Sequence, residues 1–232
     1  FADSIRLLDK YAPKKTPMLA PKPEIAESAF LDESELSEAR RKAGEIVSLD
    51  EKIRSCGAEE ARLELLIEAL RPWRGFELPL ETNGTKQAAM LLGTIPAQND
   101  VGELSRALTA AVEESQIFEI SSDENLHYLS VFYLRRSEDA VMPVLREHGF
   151  AVPAYGQVTG TAAENIRAAE KALEKARAER EASMSELKSH ADARDELKLC
   201  FDRVSTHVER AEAAELLLRT EKVVSLEGWV AE

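Results

Sequence analysis

The spacing of apolar residues divides the chain into two long helical stretches with a shorter region of mixed type between them. From 33 to 71, Leu36, Ala39, Ala43, Ile46, Leu49, Ile53 and Cys56 recur every three or four positions, and Leu63, Ile67 and Leu70 resume the stripe beyond Gly57. That spacing lines them along one face of a helix. Asp32, with Glu35 three residues on, gives a capping signal, and Pro72 a stop. Gly57 is expected to be the compliant point of this helix.

A second helix is expected over 161–221. Thr161 and Glu164 form a capping box. Ile166, Ala169, Leu173 and Ala176 make a first stripe; Met184, Leu187 and Ala191 follow after a phase shift. Leu197, Phe201, Val204, Val208, Ala211 and Leu218 then alternate by four and three, broken only by Glu215. Such a stripe wants a partner helix. No Gly or Pro interrupts this stretch, so it reads as one unbroken helix.

The region between has a different period. Residues 86–95 read as a buried strand, and 117–121 as a short one. Residues 126–135 carry the strongest strand signal, rich in aromatic and β-branched types. Asp100 and Glu103 open a helix with Leu104, Leu108 and Val112 on one face. Asp123, Glu124 and Asn125 are turn residues. Ser137 caps a second helix ending at Gly149, and 150–152 can form a last strand. The order is βαββαβ, which closes naturally as a ferredoxin-like sandwich.

These elements imply an α+β protein: a long antiparallel two-helix coiled-coil rod bearing a βαββαβ ferredoxin-like distal lobe. The expected parts are 1–77 (a short helix, a Pro-rich linker and the first rod helix), 78–158 (the lobe), 159–222 (the second rod helix) and 223–232 (the first strand of an incomplete proximal lobe). Four prolines in 13–23 mark the linker. Ile5, Leu8 and Tyr11, at helical spacing, are expected to cover the heptads between Phe201 and Leu218.

In a ferredoxin-like lobe both helices cover one face of the sheet. The strand 126–135 is apolar on both faces. Leu129, Val131 and Tyr133, flanked by polar His127 and Arg135, are the set expected on the helix-free face, as a partner-docking patch. The alternative is that the chain's own helices or its 78–81 segment cover that face.

Composition narrows the function. Thirty Lys and Arg against 43 Asp and Glu give a net charge of −13, which opposes binding to phosphate backbones. No apolar run is long enough to span a bilayer. Cys56 and Cys200 are the only cysteines, too few for a disulfide framework or a zinc site, and are read as reduced. The four histidines have no ligand spacing. Asn83-Gly84-Thr85-Lys86 departs from a phosphate loop, because Thr85 separates the glycine from the lysine and a strand follows. No residue order supports a catalytic set, so no catalytic, cofactor-binding or metal residue is assigned. With Phe1 first and no export signal, the chain reads as an internal fragment of something longer.

Three stretches resemble the cytoplasmic N-terminal part of subunit I, called subunit a in eukaryotes, of V-type and A-type rotary ATPases. They are 70–80 (LRPWRGFELPL, with Trp73), 89–97 (AMLLGTIPA, with Gly93 and Pro96) and 223–232 (VVSLEGWVAE, with Gly228 and Trp229), where Ala231 stands in place of the family's proline. The resemblance implies a non-catalytic stator fragment on the cytoplasmic side of a membrane complex. Its distal lobe would hold peripheral stalks made of E–G heterodimers. Other subunits would meet the absent proximal lobe. The proton path, and any membrane contact, would lie in an absent C-terminal domain. It implies no cofactor and no nucleic acid. A competing reading of the same residues is a regulatory ferredoxin-like module that senses a small ligand.

Overall fold

The computed structural model describes residues 1–14, 25–26, 30, 34–153, 155, 158–216, 218–219 and 224–225. The chain divides into two compact units, one of Phe1–Cys56 with Ala178–Glu232 and one of Gly57–Arg177.

The first unit is helical. Helix α1, Ala2–Tyr11, packs against the later part of the chain; α2, Leu36–Leu70, gives it its first half; α5, Ala162–Ser189, gives it its last turns; and α6, Arg194–Glu215, completes it. Ala39, Ala43, Ile46, Leu49 and Ile53 are buried together with Leu8, Leu187, Leu197 and Cys200. The apolar stripe of α2 is thus its buried face, and hydrophobic burial rather than intrinsic propensity holds it in place. Asp32, expected as its cap, lies outside the described residues.

Polar contacts fix α1 on this core. Tyr11 donates its hydroxyl proton to the buried Asp50 carboxylate at 2.9 Å, and Arg54 pairs with the same carboxylate at 2.5 Å. Arg194, itself buried, donates to the carbonyls of Leu8, at 2.8 Å, and Ala12, and lies 3.1 Å from Asp9. A cation there also meets the negative end of the α1 dipole. Lys42 pairs with Glu196 at 2.8 Å.

Two expectations for this unit are corrected. The helix expected over 161–221 is interrupted by a 3-10 turn, His190–Ala193. That turn winds at three residues per turn instead of 3.6, so it rotates the following face by roughly 80°. Leu187 and Leu197, ten residues apart, are thereby brought onto one buried face without Gly or Pro. Second, no described side chain of 201–216 joins the apolar cluster that buries α1, the helix expected to cover Phe201–Leu218. Helix α1 packs on residues that precede that stretch, Leu187, Leu197 and Cys200, where Arg194 holds its C-terminal carbonyls. Phe201 and Val208 stay exposed. Leu218–Arg219 and Val224–Ser225 form a two-residue antiparallel pair, β4 and β5. The rest of 223–230, with Gly228 and Trp229, lies outside the described residues.

The second unit holds the sheet. Its strands are β1, Ala88–Pro96; β2, Ser115–Ser122; and β3, Leu126–Leu134, antiparallel in the order β1-β3-β2. Helix α3, Val101–Ala111, connects β1 to β2, and α4, Glu138–Glu147, follows β3. Asp100 accepts from the Gly102 N–H at the α3 N-terminus, satisfying one of the helix's free donors. Ser137 makes no such bond; a 3-10 turn, Arg135–Ser137, leads into α4 instead.

The expected last strand is a single bridge. Thr94 and Ala151 exchange backbone bonds of 2.8 and 2.9 Å, and pairing goes no further. Pro153 has no N–H to continue it, and Val152 is exposed. In this same unit the C-terminal end of α2 and the N-terminal part of α5 share apolar clusters. Leu70 groups with Ala162 and Ile166, and Leu63 with Ala169 and Leu173, so the two helices pack antiparallel here. Glu64 and Arg177 are paired across them at 2.6 Å. Thr161 and Glu164 form the reciprocal capping box: the Glu164 N–H donates to Thr161 Oγ1 at 3.2 Å, and the Thr161 N–H to Glu164 Oε2 at 3.1 Å.

Candidate functional site

Side chains alternate across a strand, so β3 offers one set to each face of the sheet. Leu129, Val131 and Tyr133 are fully or almost fully buried, at 0%, 0% and 3% exposure. Their cluster contains Leu104, Leu108 and Val112 from the α3 side and Val141 and Leu145 from α4. The patch expected to dock a partner is therefore the core beneath the two helices, and the docking assignment of Leu129, Val131 and Tyr133 is corrected. His127 and Arg135 do not mark an open face. His127 bonds Glu119 at 2.9 Å, and Arg135 donates to the carbonyls of Thr85 and Asn83, at 2.8 and 2.9 Å.

The opposite set faces the side away from α3 and α4. Tyr128 and Phe132, with Met90, Leu92 and Ile120, join Leu70, Trp73, Phe76, Leu80, Ala162 and Ile166. This face is thus closed by the chain itself over much of its area. Trp73 is its anchor. It is 1% exposed and meets Tyr128 and Tyr155 edge-on, with ring centroids 5.4 and 5.8 Å away. Such edge contacts add to the area buried. Tyr128 also donates to Asp123 at 2.8 Å, and Asp123 accepts the N–H groups of Asn125 and Leu126. Those N–H groups, with the phenol, hold the Asp123 carboxyl below its ordinary range. Burial and the Asp123 bond push Tyr128 up to about 12.

Gly93 and Pro96 serve β1. A Cβ on Gly93 would lie 1.9–2.4 Å from ring atoms of Phe150, so only glycine leaves room for that ring. Pro96 ends β1 opposite Leu126 and packs against the αL Gly149, whose φ is +73°. All of these are packing roles.

The part of the lobe left open was not singled out by periodicity. It is the β2 side, where Phe118 is 52% exposed and leans on Phe132 at 5.7 Å. The signal was available: in Gln116–Glu119, QIFE, the aromatic ring falls in phase with Gln116 rather than with Ile117. Among the described residues, no three of His, Cys, Asp or Glu gather as a metal-ligand set. Among them also, no helix is long and apolar enough to cross a membrane. Burial raises the Cys200 thiol above its ordinary value, which opposes nucleophilic use.

The arrangement is that of an α+β protein whose small antiparallel sheet is backed by two helices and attached to long helices. No protein-family model matches the chain, and no curated protein matches it in sequence. In fold it is similar to a solved structure described as the cytoplasmic N-terminal domain of subunit I, homologue of subunit a, of V-ATPase. The likeness has a TM-score of 0.56, covers 91% of this chain and 69% of that one, and comes at 14% identity. The mixed helices and sheet of this chain are compatible with that domain's fold.

Proposed function

We propose that the chain is a non-catalytic stator segment of a rotary ATPase of the V or A type, on the cytoplasmic side of its membrane. The observation that carries this is the fold likeness over 91% of the chain to the N-terminal domain of V-ATPase subunit I. The stretches around Trp73 and around Gly93 and Pro96 add to it, and here they are packing residues. In this reading 78–158 is the distal lobe, the long helices form a stiff arm, and 223–232 begins a proximal lobe. The lobe holds peripheral stalks of E–G heterodimers, through surfaces other than Leu129, Val131 and Tyr133. The arm resists torque as a bracket does, and the chain performs no chemistry.

The test is affinity isolation through a tag on the intact protein that contains this chain. Recovery of catalytic-head and stalk subunits of one rotary ATPase supports the assignment. Recovery of the protein without any such subunit, under conditions that keep the ATPase intact, would refute it.

A further inference from the structure

The two edges of the sheet are treated differently. The outer edge of β1 is closed: Ala151 bridges Thr94, Met90 donates its N–H to the Asn83 carbonyl at 3.1 Å, and Thr85 donates to the Ala88 carbonyl at 2.7 Å. The outer edge of β2 is not. Among the described residues β2 pairs with β3 alone. Near its end, Ser121 Oγ donates to the Pro72 carbonyl at 2.7 Å, and Gly75 sits against the Ile120 carbonyl, which shields that part. Over Ser115–Glu119 no described backbone group outside β3 bonds to the strand, and an unpaired strand edge is a template for another strand.

The side chains along this edge have a definite chemistry. Residues 112–125 contain five carboxylates, Glu113, Glu114, Glu119, Asp123 and Glu124, and no Lys or Arg. Glu114 is paired with Arg136 and Glu119 with His127. Among the described residues Glu113 and Glu124 have no ion-pair partner. Phe118 stands exposed in the middle. A cleft of about 300 Å³ at the end of the sheet runs from Glu113, Glu114 and Gln116 at the start of β2 across Phe132 and Leu134 to Ala88 of β1, with space for one side chain.

We infer that the β2 edge binds an extended, Lys- or Arg-rich segment of another protein, which adds to the sheet as a further strand. Its backbone pairs with Ser115–Glu119, an apolar side chain rests on Phe118, one cation faces Glu113 just before the strand, and a cation beyond the paired stretch faces Glu124 in the β2–β3 turn. Main-chain bonds supply affinity in strand addition, and alternate side chains supply specificity. A second copy of this chain is a poor occupant, since pairing β2 with itself brings two acidic edges together. The inference rests on the edge and its charge, and does not depend on the stator reading.

The probe is the peptide Lys-Val-Lys-Val-Lys-Val-Lys, added to the whole chain, with affinity and amide exchange measured together. Saturable binding is expected, with exchange slowed at least about tenfold at outward amides of Gln116–Glu119. Peptide N-methylated at alternate residues should lose the binding, because its backbone cannot pair. The E113Q/E124Q variant should weaken binding several-fold while its far-ultraviolet circular dichroism stays unchanged. No binding, equal binding of the N-methylated peptide, binding without slowed exchange at Gln116–Glu119, or concentration-dependent self-pairing through β2 would each overturn the inference.

Discussion

Gly93→Ala puts the packing of the second unit to a direct test. The added Cβ would fall 1.9–2.4 Å from three atoms of the Phe150 ring, where ordinary contact is 3.4–4 Å. The ring must therefore retreat by roughly 1.5 Å, and overpacking of this kind costs about 1–3 kcal/mol. Alanine returns about 0.5–1 kcal/mol, because glycine loses more backbone entropy in a strand. The net expectation is a loss of about 1–2 kcal/mol. Phe150→Ala removes the obstacle. In that background Gly93→Ala should cost nothing, or stabilise slightly. Urea unfolding of the four proteins, followed by far-ultraviolet circular dichroism, gives the cycle, and a coupling of at least about 1 kcal/mol is expected. If Gly93→Ala costs the same with and without the Phe150 ring, or is neutral in the parent chain, the steric reasoning is wrong.

Three further outcomes follow from the geometry. Gly57→Ala should stabilise by about 0.5–1 kcal/mol, since α2 runs unbroken through Gly57 and its Cβ position is open; loss of stability in thermal unfolding would contradict that. Arg194→Ala leaves two carbonyls of α1 without their charged donor, at a cost of about 2–4 kcal/mol, and should speed amide exchange across Ala2–Tyr11 while sparing β1–β3; unchanged protection of α1 would refute the clamp. Tyr128 has a folded-state pKa raised to about 12 from 10.0, so the stability it confers is complete below 10 and is lost as pH rises toward 12. Tyr128→Phe should therefore flatten the alkaline fall in stability, to the extent that Tyr133 and Tyr155, also raised, do not carry it; an identical pH profile would count against this coupling.

Local signals were the most legible part of the chain. The Thr161–Glu164 box and the Asp100 cap involve residues two or three apart, so composition and spacing contain the whole interaction. The stripe Ala39–Ile53 was readable for the same reason: helical period alone decides which side chains share a face. What periodicity could not supply was which face meets which partner. β3 is apolar on both sides because both sides are covered, one by α3 and α4, the other by Trp73 and its neighbours. Polar residues at the strand ends suggested an open face, yet His127 and Arg135 are satisfied by Glu119 and by loop carbonyls that lie far off in sequence.

The site at which α1 docks was illegible in the same way. Arg194 falls seven residues after Leu187, in a core position where an apolar side chain is the ordinary choice, and it is there to hold two carbonyls of a distant helix. The 3-10 turn before it leaves no Gly or Pro trace. The open β2 edge is a property of topology: it exists because β3 lies between β1 and β2 and the loop at Asn83–Thr85 closes the other side.

The stalk-binding role proposed for this chain is tested most directly by titration of the intact chain with the purified E–G stalk heterodimer of the same organism. Calorimetry with analytical ultracentrifugation should show a saturable complex of one chain with one heterodimer. It should weaken under substitutions on the exposed surface of 78–158 that leave the fold intact, and not under surface substitutions on α6. Absence of any complex, or binding indifferent to the lobe's surface, would contradict the account.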